Sequence, residues 1–200
     1  MRLVLLIGIL LQMNTIIGQS YKDSVLEFQS HLNAEYQDSE KSPLEKSDVK
    51  KFKGHDFFPI DENFKVKAEF KRVDKAVPFL MKTTTDRLPT YEIYGVATFE
   101  LNNQKLKLNI YQSHSLRDTE EYKDYLFLPF TDLTNGDETY VGGRFIDLEI
   151  PKEDFIIIDF NKAYNPYCAY SPKYSCPIPP KENDLPIHIY AGIKLKPHSK

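Results

Sequence analysis

Tyr91–Gln112, YEIYGVATFELNNQKLKLNIYQ, is the stretch whose reading decides the fold. Two runs rich in β-branched and aromatic residues flank Asn102-Asn103. Asparagine tolerates positive φ, so the pair predicts a two-residue hairpin turn. If Leu101 faces Gln104, then Phe99 faces Leu106, Ala97 faces Leu108 and Gly95 faces Ile110, and that whole face is apolar. The other face sets Glu100 against Lys105 and Tyr94 against Tyr111, both favourable cross-strand pairs. A slip of one residue would destroy both faces, so the register is strongly specified.

Outward from this hairpin, the same period of two marks Lys65–Lys71, Phe79–Thr83, Leu126–Phe130, Arg144–Ile150, Phe155–Phe160 and Ile187–Lys194. With the hairpin this makes about eight strands, and turn signals between them predict a mainly β fold, an antiparallel sandwich or partly closed barrel. Upstream the period changes. Val25, Phe28, Leu32 and Tyr36 predict a helix from Ser20 to about Asp38. Ser42-Pro43-Leu44-Glu45 reads as a capping box for a second helix to about Lys51, ended by Gly54. All helices precede the strands, which disfavours a doubly wound parallel sheet.

Two hundred residues, 41% hydrophobic and 13% aromatic, suit one domain with a sizeable core. The formal charge is −3, or −4 once Arg2 is removed, and no basic run is present. Nucleic acid and anionic membrane surfaces are therefore poor partners. The start of the chain gives the compartment. Met1-Arg2, the apolar run Leu3–Leu11 and the small Gly18 before Gln19 make a secretory signal peptide over residues 1–18, too short to span a bilayer. The remainder divides into a helical segment, 19–51, and a β domain, 52–196. The mature chain is expected to have no membrane span and to be periplasmic or extracellular.

Asp159–Asn183, DFNKAYNPYCAYSPKYSCPIPPKEN, holds both cysteines, five prolines and four tyrosines. It is too proline-rich for helix or central strand and too aromatic for a disordered linker, so it is an ordered loop. Export favours a disulfide between Cys168 and Cys176, with roughly 2–3 kcal/mol of stabilisation from so small a ring. The alternative is two buried thiols. The loop contains no histidine, which speaks against a metal site. Tyr164, Tyr167, Tyr170 and Tyr174 either pack the loop onto the sheet or form a stacking platform.

A second hairpin locates a candidate site. If Pro151–Asp154 connects Ile150 to Phe155, then Arg144 faces Asn161 and lies diagonal to Asp159 at one end of an apolar face. A buried arginine requires a carboxylate or a ligand anion. Asp159 supplies one as an internal ion pair; a ligand carboxylate or phosphate is the other option. Tyr164, Asn165 and Asn183 border the same place. Of the histidines, His31 sits between Glu27 and Glu35 on the helix, while His55 and His114 lie at loop edges. No GxSxG, HExxH or phosphate-cradling glycine loop is present, and no cofactor is expected.

Three strings carry a family resemblance: LPFTDLTNGDETYVGGRFIDL (Leu128–Leu148), the Asp159–Asn183 loop and LPIHIYAG (Leu185–Gly192). With FKGHDFFPID at Phe52–Asp61, they resemble the domain-of-unknown-function family 1684. The resemblance implies an exported bacterial protein and supplies no reaction. Ile193 stands where many relatives have glutamate, and Ser171-Pro172-Lys173 where some have histidine, so no role resting on those positions transfers. The expected function is a non-catalytic binding or interaction module for a small anionic or sugar-like ligand at Arg144, Asp159, Asn161, Tyr164, Asn165 and Asn183. The alternative is an extracytoplasmic hydrolase with Asp147 or Asp159 as acid or base.

Overall fold

A computed structural model describes residues 21–195. The leader at 1–18 and His198 lie outside the described residues. Residues 21–37 are helical (α1). Val25 and Tyr36 are buried, whereas Phe28 and Leu32 are only partly covered. The second helix is much shorter than its capping signal predicts. It spans only Lys46–Val49 (α2), with Glu45 as N-cap and no side-chain capping bond. Ser42 Oγ is engaged elsewhere: it donates to Tyr36 O at 2.8 Å and accepts from Leu44 N at 3.2 Å.

Seven strands follow: β1 (Lys65–Arg72), β2 (Phe79–Leu80), β3 (Thr90–Leu101), β4 (Gln104–Ser113), β5 (Tyr125–Phe130), β6 (Arg144–Glu149) and β7 (Phe155–Asp159). They form one antiparallel sheet in the order β6-β5-β4-β3-β1-β7, with β2 added to β3. The sheet curls into a half-barrel. Its two edges meet where Phe145 of β6 exchanges backbone hydrogen bonds of 2.9 and 3.0 Å with Tyr164, just past β7.

The β3–β4 hairpin follows the expected register from Leu101↔Gln104 to Gly95↔Ile110, and both turn asparagines have positive φ, 53° and 59°. Beyond Gly95 the register shifts, so Ile93, not Tyr94, faces Tyr111. Tyr94 is the extra residue of a β-bulge. Phe70 of β1 packs over Gly95, where a Cβ would lie 2.3 Å from the phenyl ring. The bulge keeps Tyr94 in the inner core and turns Tyr91 and Ile93 to the outer face.

The expected second hairpin does not form. β6 pairs with β5 (Phe130↔Arg144), and β7 pairs with β1 (Lys65↔Asp159). Curling brings the two ends of the sheet together, so a short connection crosses between edges without pairing them. The phase of β7 is one residue from that expected: Ile156 and Ile158 are buried and Ile157 is 39% exposed.

Ile187–Lys194 is not a strand, although its alternation is real. Ile187, Ile189 and Ala191 are buried between the exposed Pro186, His188 and Tyr190, and Gly192 and Ile193 continue the buried run. The carbonyls of Ile189 and Ala191 accept from the Arg144 guanidinium in place of a neighbouring strand. The inner cluster joins Ile187, Ile189 and Ala191 to Leu108, Ile110, Leu126, Leu128, Ile146 and Ile158. A second cluster on the outer face contains Met81, Tyr91, Tyr111, Phe127, Phe145 and Cys176.

Candidate functional site

A cavity of about 760 Å³ lies between α1 and the outer face of the sheet. Its floor comes from alternate residues of two paired strands, Tyr125 and Phe127 of β5 and Phe145 and Asp147 of β6. Pleating sends their neighbours Leu126, Leu128 and Ile146 to the inner core. β5 is therefore apolar on both faces. Phe28, Leu32 and Glu35 of α1 form one wall, and Tyr164, Tyr167 and Cys176 of the long loop form another. Tyr91 reaches the cavity because of the bulge at Tyr94.

Asp147 is the chemical centre of this floor. Its Oδ1 accepts from Tyr125 Oη and Tyr164 Oη, each at 2.6 Å. No ion pair involving it is found among the described residues. Burial in the cavity raises its pKa above the usual carboxylate value; the two phenol bonds oppose this, and the Glu35 charge adds to the rise. The residue remains open to solvent within the cavity, which limits the shift. Burial, followed by the Asp147 charge, pushes Tyr125 and Tyr164 upward, so both stay protonated donors. Tyr167 Oη donates to Glu35. The surrounding rings are continuous: centroids are 4.8 Å apart for Phe127–Phe145, 6.0 Å for Tyr91–Phe127 and 6.1 Å for Phe145–Tyr164.

Of the residues singled out in the sequence, Asp159 and Asn161 are hydrogen-bonded to each other, but the six do not converge on one site. Arg144 is wholly buried, and its carboxylate partner is Asp132 at 2.8 Å, not Asp159. Asp159 Oδ1 accepts from Tyr21 Oη at 3.0 Å and from Asn161 N at 3.1 Å. Asn161 clamps Asp61, accepting from its N at 3.0 Å and donating to its O at 2.8 Å. Asn165 donates to Tyr170 Oη at 3.0 Å. Asn183 is buried between β4 and β5. Of the six, only Tyr164 lines the cavity.

The disulfide is absent from the structure. Cys168 and Cys176 are free thiols, with Cys168 N donating to Cys176 Sγ at 3.2 Å. A hydrogen bond from the Cys176 thiol, aided by Tyr140, holds Cys168 down to about 6, and Cys176 is pushed up in return. Tyr167 and Tyr170 pack edge-on against Tyr36, so they dock the loop onto α1. His31 stands exposed at the cavity mouth. His114 Nε2 and Arg117 both lie 2.9 Å from Glu92, and none of the three is among the residues lining the cavity. Among the described residues no group of three or more His, Cys, Asp or Glu is placed to hold a metal.

Glu35 and Tyr125 are cavity residues that the sequence pattern did not assign to a site, whereas Tyr167 stands among the four tyrosines read as either packing or a stacking platform. The available signal was β5 itself, YLFLPF, which has no polar face and therefore requires cover on both sides.

A model of the family described as "Protein of unknown function (DUF1684)" matches residues 50–194. The solution NMR structure of an uncharacterised protein of Haloarcula marismortui is similar in fold. Its TM-score is 0.69 at 27% sequence identity, over 89% of this chain and 96% of that one. No curated protein matches the chain.

Proposed function

The chain belongs to the DUF1684 family, and we propose that it is an exported, non-catalytic binding module that takes a small organic ligand into the cavity under α1. One observation carries this reading: a carboxylate fixed by two phenols stands at the floor of an aromatic-walled cavity. About 760 Å³ is within the range of small-molecule sites, and mostly apolar walls with a few placed polar groups are their usual composition. The rings offer flat faces for stacking, as a sugar ring requires, and Asp147 offers a directional acceptor. The lining holds Glu35, Asp38 and Asp147 against Lys41, which favours a polyol over an anion. The apolar leader supports export.

Differential scanning fluorimetry with neutral sugars, small acids and small amines tests the reading. A ligand that fills the site raises Tm as its concentration passes Kd. Asp147→Asn and Tyr164→Phe should weaken that rise. A panel that leaves Tm unmoved at millimolar concentrations would remove the binding module.

A second reading, an extracytoplasmic hydrolase, is favoured by the upward direction in which burial moves the pKa of Asp147, the direction a general acid needs. Turnover of chromogenic ester or glycoside substrates, abolished in Asp147→Asn, would replace the first reading with this one.

A further inference from the structure

We propose that the ligand of this cavity carries a positive charge, an organic ammonium group seated on Asp147 among the surrounding rings. The inference rests on the binding-module reading and specifies its chemistry.

Both phenols donate to Oδ1 of Asp147. Its second oxygen has no hydrogen bond among the described residues, and no ion pair neutralises the carboxylate. That oxygen is open to the cavity and can accept a charge-assisted hydrogen bond from a bound cation.

The walls supply the other half of the recognition. Phe127, Phe145 and Tyr164 surround the floor as adjoining rings, and Tyr91 extends the set. Ring faces attract ammonium groups through their quadrupoles, most strongly where water is displaced. A carboxylate beside aromatic faces therefore suits a primary or quaternary ammonium better than a neutral group of the same shape.

Charge balance points the same way. Glu35 lines the cavity with Asp147, and its charge disfavours the ionised form of Asp147. Glu35 receives Tyr167 Oη, and no ion pair to it is found among the described residues. Lys41, the lining cation, stands exposed beyond the end of α1. A bound ammonium would relieve the repulsion between Asp147 and Glu35, which an anion would increase.

The test compares probes of equal shape and different charge on the full mature chain. Choline and benzyltrimethylammonium are titrated calorimetrically beside the uncharged choline isostere 3,3-dimethylbutan-1-ol, benzoate and glucose. The expected result is saturable binding of the ammonium probes, about tenfold or more tighter than the neutral isostere. Asp147→Asn should cut ammonium affinity by a similar factor while leaving the fold intact. Equal binding of the neutral isostere, or unchanged ammonium affinity in a folded Asp147→Asn variant, overturns the inference. Binding of glucose or benzoate without ammonium binding overturns it and leaves the binding module standing. Silence from every probe removes both. The wild-type comparison decides the matter even if the variant fails to fold.

Discussion

Arg144 Nη2 lies 2.8 Å from Asp132 Oδ2, and both side chains are wholly inaccessible to solvent. The guanidinium also donates to the carbonyls of Ile189 and Ala191, and the other Asp132 oxygen accepts from Thr134 and from Ile189 N. The pair therefore anchors the C-terminal segment inside the curled sheet. Burying two charges is costly, and the surrounding hydrogen bonds offset that cost. Arg144→Met should destabilise the chain by about 3–5 kcal/mol, because it strands the Asp132 charge. Arg144→Met with Asp132→Leu should recover only part of the loss, since the carbonyls of Ile189 and Ala191 still lack donors. Urea denaturation measures both. A single variant within about 1 kcal/mol of wild type would show that the pair is dispensable.

Asn183 makes a comparable contact at a weak place in the sheet. β4 and β5 share one register pair, Tyr111↔Phe127, and Pro129 has no N–H to offer. The Asn183 side chain accepts from Asn109 N at 2.8 Å, and donates to Asn109 O at 2.8 Å and Pro129 O at 2.7 Å. Asn183→Ala should cost about 2–3 kcal/mol by orphaning buried backbone groups. Asn183→Asp should cost more, because it sets a buried carboxylate against the two carbonyl oxygens that the amide now serves. Equal stability of the Asp and Asn forms would contradict this account.

These two sites show what the chain made legible. Strand periods and the Asn102-Asn103 turn were local signals, and the half-barrel with its N-terminal helix follows from them. The need of a buried Arg144 for a carboxylate was also legible, but not which one, because partner choice depends on topology. β7 pairs with β1 and not with β6, so Asp159 is carried away from Arg144. The cavity was hidden for the same reason. Tyr91 faces it only through a bulge, and Glu35 only through the docking of α1. The alternation of Ile187–Ile193 reports burial alone and does not distinguish a ladder from an arginine that satisfies the carbonyls.

Asp147 should reduce stability where it serves binding. A carboxyl whose folded pKa exceeds its unfolded value holds its proton more tightly when folded. Its contribution is best below the unfolded value near 3.9 and is lost as pH rises through the folded one. Tyr125 and Tyr164 face it as permanent donors, Glu35 and Asp38 add negative charge to the cavity, and Lys41 and His31 stand at the mouth. In Asp147→Asn the amide oxygen still accepts from both phenols. Solvent access keeps the gain below ~1 kcal/mol, so Tm at pH 7 should equal wild type or exceed it by about 2–4 °C. The difference should shrink at pH 4. A variant that is markedly less stable at pH 7 would place Asp147 among the structural residues.

The two thiols are positioned to become one bridge. Cys176 lines the cavity, and Cys168 follows Tyr167, whose hydroxyl binds Glu35. With its pKa held down by the Cys176 hydrogen bond, Cys168 ionises more readily than Cys176 and is the sulfur that attacks an added disulfide oxidant. Oxidised glutathione should first give a mixed disulfide at Cys168. Attack by Cys176 would then release reduced glutathione and close the ring, lowering the intact mass by about 2 Da relative to the dithiol. Because the bridge ties a wall of the cavity, ligand affinity should differ between the two forms, and reductant should reverse the change. Cys176→Ser should stop at the mixed disulfide, and Cys168→Ser should react slowly. Intact mass spectrometry follows each step. Two independent glutathione adducts with no ring would show that the sulfurs are neighbours which do not couple.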